Sequence, residues 1–115
     1  MTVRDLMAVL SAENVVEGAN IDAEISCGYT CDLLSWVLAH GKPGMCWITV
    51  QTHVNVIAVA VLMDMACVIL PEGIALEEVS LKKAQDEGLP VLVAKNTAYE
   101  LAGMMAKAGI QPPEQ

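Results

Sequence analysis

Phenylalanine is missing from this chain, and two Trp and two Tyr are its only Trp, Tyr or Phe residues among 115, 3% in all. The interior must therefore be built from Val, Ile, Leu, Met and Ala, which gives an aliphatic and adaptable core. Cations are scarce as well: six Lys and Arg stand against fourteen Asp and Glu, a formal charge of -8. That balance repels phosphate backbones and anionic lipid headgroups, so nucleic acid and membrane surfaces are set aside as partners. The four cysteines, Cys27, Cys31, Cys46 and Cys67, contain no CxxC pair, so zinc-ribbon and simple iron–sulfur spacings fail. Nor is there a G-x-x-x-x-G-K-[ST] phosphate loop, a G-x-G-x-x-G turn, a G-x-S-x-G elbow or an H-E-x-x-H helix. Lys42, in a turn, is the only central cation that could cradle a phosphate.

What is present is apolar mass. Hydrophobic residues make up 55% of the chain, seven of them Met, while charged residues are only 17%, against a typical ~25%. So little charge over so much apolar mass predicts that some surface is covered by a second copy, making a homodimer. The length predicts one domain over residues 1–110, with 111–115 as a flexible tail. The amino terminus has an Arg and an Asp before a short amphipathic run and lacks the pattern of a secretory signal. The expectation is a cytoplasmic protein with reduced thiols.

The longest apolar run, "ITVQTHVNVIAVAVLMDMACVIL" from Ile48 to Leu70, is interrupted by Gln51, His53, Asn55 and Asp64. A membrane span needs about 20 predominantly apolar residues, and an aspartate inside one costs roughly 2.5–3.5 kcal/mol. The same run is better explained as a strand over Cys46 to Val50, a turn over Gln51 to His53, a helix over Val54 to Met65 and a strand over Cys67 to Leu70. That helix is apolar on every side, so it must be covered by a sheet and by another element or subunit.

The same alternation runs through the rest of the chain. Val3 to Leu10 carries apolar residues at helical spacing, Ile25 to Cys27 predicts a short strand, and Asp32 to His40 a helix stopped by "GKPG". Leu33, Leu34, Val37 and Leu38 form its apolar positions. Glu77 to Glu87 is an amphipathic helix with Val79, Leu81 and Ala84 available to face a sheet, "LPVLVA" from Leu89 is a strand, and Tyr99 to Ala108 is the last helix. Short apolar strands alternating with helices predict a three-layer α/β fold, with a mainly parallel sheet of about four strands and helices on both faces.

Two polar stretches fall where a strand gives way to a helix. In "WITVQTHVN", Gln51, Thr52, His53 and Asn55 follow a strand end, with Thr52 as the expected N-cap. In "SCGYTCDLLS", Gly28 permits close backbone approach, Tyr29 offers a stacking face, and Asp32 or Thr30 is the expected cap. Ligands of open α/β sheets bind outside the carboxyl ends of the strands, so the two turns are expected to line one crevice. Cys46 and Cys67 fit as small core residues, while Cys27 and Cys31 bracket a loop and could bind metal or react together with His53.

The pieces Gly28-Tyr29, Asp32-Leu33-Leu34-Ser35, Trp47-Ile48-Thr49, Gln51-Thr52-His53 with Asn55, and Ala58 to Val61 resemble a stand-alone DRTGG domain over about Val3 to Ile110, although the letters D-R-T-G-G do not occur. This resemblance implies an α/β fold similar to the N-terminal domain of HPr kinase/phosphorylase and of the Mur ligases. It also implies dimerisation and a regulatory role, with catalysis residing elsewhere. Together these expectations describe a non-catalytic module with no resident cofactor or metal. It would bind a small molecule such as a nucleotide or phosphorylated metabolite, or a partner protein, at a crevice lined by Gly28, Tyr29, Asp32, Gln51, Thr52, His53 and Asn55. The alternatives are a purely structural dimerising adaptor and, behind it, a metal-binding or enzymatic protein using His53 with Cys27 and Cys31.

Overall fold

A computed structural model describes residues 1–114. The elements run α1 (Val3–Leu10), β1 (Glu13–Asn14), β2 (Cys27–Thr30), α2 (Leu34–His40), β3 (Met45–Ile48), α3 (Val54–Leu62), β4 (Cys67–Leu70), α4 (Glu78–Glu87), β5 (Val91–Val93) and α5 (Ala98–Lys107). The sheet order is β1-β5-β4-β3-β2, with β2 to β5 parallel and the two-residue β1 antiparallel to β5. The expected mainly parallel sheet with helices on both faces is what the chain forms, with β1 added.

Local chemistry starts the outer helices. Thr2 and Asp5 form a capping box on α1, and Thr97 and Glu100 form one on α5, each satisfying otherwise orphaned N–H groups. The Thr2 main-chain N–H holds the Asp5 carboxyl below the usual carboxylate range, and that of Thr97 does the same for Glu100. Gly88 stops α4 in the left-handed conformation at φ 69.

Alternation along the strands divides the core in two. Met45, Trp47, Val68, Leu70 and Val91 pack with α2, α3 and α4 residues such as Val37, Ile57 and Ala84. Cys46, Ile48, Cys67, Ile69 and Leu92 face the other way, onto Leu6 and Leu10 of α1 and Leu101 and Met105 of α5. The three successive crossover helices α2, α3 and α4 thus lie on one face, and after β5 the chain returns to the face that α1 covers. There the β4–α4 and β5–α5 loops meet, as the Glu72 N–H donates to the Asn96 carbonyl at 2.9 Å and the Gly73 N–H to that of Ala94 at 2.9 Å. Open α/β sheets usually form a ligand crevice at such a switch point; here main-chain bonds join its two walls.

Several boundaries differ from the sequence expectation. Strand β2 covers Cys27–Thr30, not Ile25 to Cys27, because parallel pairing sets Cys27 against Met45 and Thr30 against Ile48. Cys27 and Cys31 therefore bracket a strand instead of a loop. Strand β3 starts and ends earlier than expected, and α3 stops at Leu62 because Asp64 turns to φ 56, a region Asp tolerates better than most residues. Helix α2 begins at Leu34, and of its apolar positions only Val37 is fully buried while Leu33 is 62% exposed. On α4, Ala84 is buried but Val79 is exposed, and Ser80 takes the inner position.

Candidate functional site

The two polar turns do come together at Asp32. Its Oδ1 accepts from the Thr49 hydroxyl at 2.8 Å and from the Val50 N–H at 2.9 Å. Gln51 returns the contact, its Nε2 donating to the Asp32 carbonyl at 3.0 Å, while its own N–H donates to Thr49 Oγ1. One residue earlier, the Trp47 indole N–H donates to the Cys31 carbonyl at 2.8 Å. Asp32 is thus a clasp between the β2–α2 and β3–α3 loops. Neither it nor Thr30 caps α2, whose N-cap is Leu33 with no side-chain bond.

Thr52 is not the cap of α3 either. His53 takes that position, its Nδ1 accepting from the Asn55 N–H at 3.2 Å, so in the neutral ring the proton sits on Nε2. Thr52 turns instead towards α4: its hydroxyl donates to Glu77 Oε2 at 3.1 Å, and the Ser80 hydroxyl donates to the Thr52 carbonyl at 2.7 Å. His53 and Asn55 are exposed.

A cleft of about 830 Å³ opens beside β2. Of the seven residues expected to form one crevice, Gly28 and Tyr29 line it; Asp32, Gln51, Thr52, His53 and Asn55 do not. The other walls are Trp36 and His40 of α2 with Lys42 beyond it, and Ala102, Met105 and Ala106 of α5. Ile110 to Glu114, following α5, complete the rim. This segment lies along the sheet edge, where the Gly28 N–H donates to the Gln111 carbonyl at 2.9 Å. Trp36 and His40, four residues apart on α2, stack with centroids 4.4 Å apart at 24°, and His40 Nδ1 lies 2.8 Å from the Trp36 carbonyl. A carbonyl only accepts, so that nitrogen carries the proton and the imidazole is fixed against the indole.

Gly28 is required by packing. A Cβ there would lie 2.7 Å from Met105 Cε and 3.2 Å from Ile110 Cγ2. The methionine end can swing away, so Gly28→Ala is expected to cost about 1 kcal/mol, and Gly28→Val up to about 3 kcal/mol, in chemical denaturation. Both should speed hydrogen exchange at the Gly28 amide as the edge segment is pushed off.

Sequence inspection missed Thr49, Ser80, Glu77, Trp36 and His40. For the last pair the i, i+4 spacing of two rings was a usable signal; for the others nothing local marks them.

The four thiols are free, and among the described residues no group of three or more His, Cys, Asp or Glu side chains could hold a metal ion. Burial, with help from Cys27, pushes the Cys46 thiol up to about 12, and burial drives Cys67 well above its ordinary value. The folded state holds those protons where an unfolded chain, titrating near ~8.5, releases them. Stability is therefore complete below that pH and lost as pH rises towards 12. Denaturation measured between pH 8 and 11 should show this fall, and Cys46→Ala should flatten it. A thiol reagent at pH 8 should label Cys31, the only cysteine not buried, well before the other three.

Sheet, helix layers and edge cleft together define a three-layer α/β domain. Among solved structures the chain is similar to the CBS and DRTGG domains of the regulatory region of Clostridium perfringens pyrophosphatase, crystallised with the activator diadenosine tetraphosphate. The TM-score is 0.70 at 10% identity, over 93% of this chain and 46% of that one, so the chain spans less than half the length of that structure. The likeness shows a CBS/DRTGG-like fold; it adds nothing to the expected similarity to HPr kinase/phosphorylase or the Mur ligases. No family model matches the chain, and no curated protein matches it significantly. Among the described residues no helix is long and apolar enough to cross a membrane.

Proposed function

We propose that this chain is a non-catalytic, ligand-sensing regulatory module whose ligand occupies the cleft beside β2. The observation that carries this reading is the cleft itself: about 830 Å³, floored by aliphatic side chains and walled by aromatic ones, within the range of sites for drug-sized ligands. The fold is like that of a regulatory region crystallised with a nucleotide activator. The polar residues at the strand ends support a non-catalytic role, since Asp32, Thr49, Gln51 and Thr52 are engaged with one another, with main chain or with Glu77. Residues 1–110 form the working domain, acting in the cytoplasm, with the segment from Gln111 as one wall of its site.

A thermal-shift screen over nucleotides, sugar phosphates and organic anions tests this. A ligand at 100 times its Kd stabilises by ~2.7 kcal/mol, a rise in Tm of the order of 10 °C. The shift should fall by about half in Trp36→Ala, as a ~10-fold loss of affinity requires, and persist in full in His53→Ala. The reverse pattern would move the site to the start of α3, and equal shifts in both variants would remove it from both places.

A second reading, a dimerising adaptor, draws on the exposed apolar side chains of α2 and its N-cap: Leu33, Trp36 and Leu38 are all more than 40% exposed. It requires a homodimer burying more than roughly 1,000 Å² there. Sedimentation of wild type against Leu38→Glu separates the readings, because only a dimer held by α2 would dissociate.

A further inference from the structure

The cleft's chemistry is specific enough to name a ligand class, on the condition that it is the ligand site. We infer that it takes a planar aromatic ring carrying an anionic group, the ring lying on the open face of Trp36 and the anion reaching Lys42.

Two scarce commodities of this chain are placed together there. Two of its four Trp and Tyr residues, Tyr29 and Trp36, line the cleft, and so does one of its six cations, Lys42. Arg4 is paired with Asp22 and Lys83 with Glu87; among the described residues Lys42, like Lys82, Lys95 and Lys107, has no carboxylate within 4 Å, and of these four it alone lines the cleft. In a protein of formal charge -8, an unpaired cation beside an apolar cleft is where an anion meets least repulsion.

The indole is prepared for stacking. His40 backs one of its faces and is itself held by the Trp36 carbonyl, yet Trp36 remains 53% exposed. A flat ring on the other face would remove that surface from water without first ordering the side chain, and stacking of this kind is worth roughly 1–3 kcal/mol per ring. Beneath, the half-buried Ala102 and Ile110 form an apolar floor over the already buried Ile48 and Met105. A bare phosphate or sugar phosphate would leave that floor wet, and the cleft is too large for an ion alone. Glu114 on the tail also lines the cleft; its charge opposes an anion on that side and so orients the ligand with its charged end towards Lys42.

Calorimetric titration of the full chain tests the inference with AMP, UMP and indole-3-acetate, their neutral counterparts adenosine, uridine and indole, and ribose 5-phosphate as an anion without a flat ring. At least one ring anion should bind about 5-fold or more tightly than its neutral counterpart, and ribose 5-phosphate should not bind. Trp36→Ala should weaken that ring anion about 10-fold. Lys42→Ala should bring it down to the affinity of the neutral ring, and Glu114→Gln should tighten it a few-fold. All three side chains are exposed, so the variants fold, which circular dichroism checks. Equal affinity for charged and neutral rings, no loss in Trp36→Ala, or no binding of any ring anion overturns the inference. Binding of ribose 5-phosphate that Trp36→Ala abolishes would keep the cleft as the ligand site and discard this ligand class. Silence from every probe here and in the thermal-shift screen would discard both.

Discussion

Trp47→Ala is expected to destabilise the protein by about 3–5 kcal/mol, the range for emptying a buried tryptophan site, with a fall in Tm of the order of 10–20 °C. Trp47 is fully buried in the layer between the sheet and α2, α3 and α4. The neighbouring aromatic, Tyr29, is held opposite it on β2 by strand pairing, and moving its ring into the space would bury the phenol hydroxyl. The indole has a second role, since its N–H holds the Cys31 carbonyl at 2.8 Å, three residues before α2 begins at Leu34. Trp47→Phe separates the two contributions. It keeps most of the packing but leaves that carbonyl without its donor, for a loss of about 1–3 kcal/mol. Urea denaturation of the three proteins checks the order, and a Trp47→Ala protein as stable as wild type would contradict the packing described.

Asp32→Ala should cost about 1–3 kcal/mol, because it strands two donors at once: the hydroxyl of Thr49, a residue only 1% exposed, and the Val50 N–H. Asp32→Asn is the matched control. Its amide oxygen can accept both bonds, so it should lose only a few tenths of a kcal/mol if the role is that of an acceptor. Were Asp32 a ligand-contacting carboxylate with no part in the architecture, both variants would melt like wild type. Exchange at the Val50 amide, slow in wild type and Asp32→Asn and fast in Asp32→Ala, locates the effect at the clasp between the two loops.

Elements with strong local signals were legible from sequence to the residue. The Val3–Leu10 helix has helical apolar spacing, and the Cys67–Leu70 strand is an isolated apolar run stopped by Pro71. The strand at Cys27–Thr30 was not, because Ser26, Gly28 and Thr30 look locally like a loop. Pairing with Met45–Ile48 makes them a strand, and Gly28 is there because Met105 and Ile110 come too close for a Cβ. Strand β1 is two residues long and exists only because it falls beside β5. For the site, both polar turns were visible as compositional islands in an apolar chain. Their division was not: Asp32 and Gln51 tie two loops together, Thr52 leans on α4, and Gly28 with Tyr29 borders a cleft whose far wall lies more than 70 residues onward.

The amino acids in order were enough to determine an aliphatic α/β body, the positions of its helices, its poverty of cations and the two turns where polar side chains collect. These are properties of short windows, set by periodicity, capping and turn chemistry. Only the tertiary structure decided that β2 lies at the sheet edge, that the chain crosses to the opposite face after β5, and that α5 returns to lay Gln111 against Gly28. The cleft follows from those three facts. Each is a contact between distant segments, chosen by which faces must be buried together, and no local pattern encodes that choice.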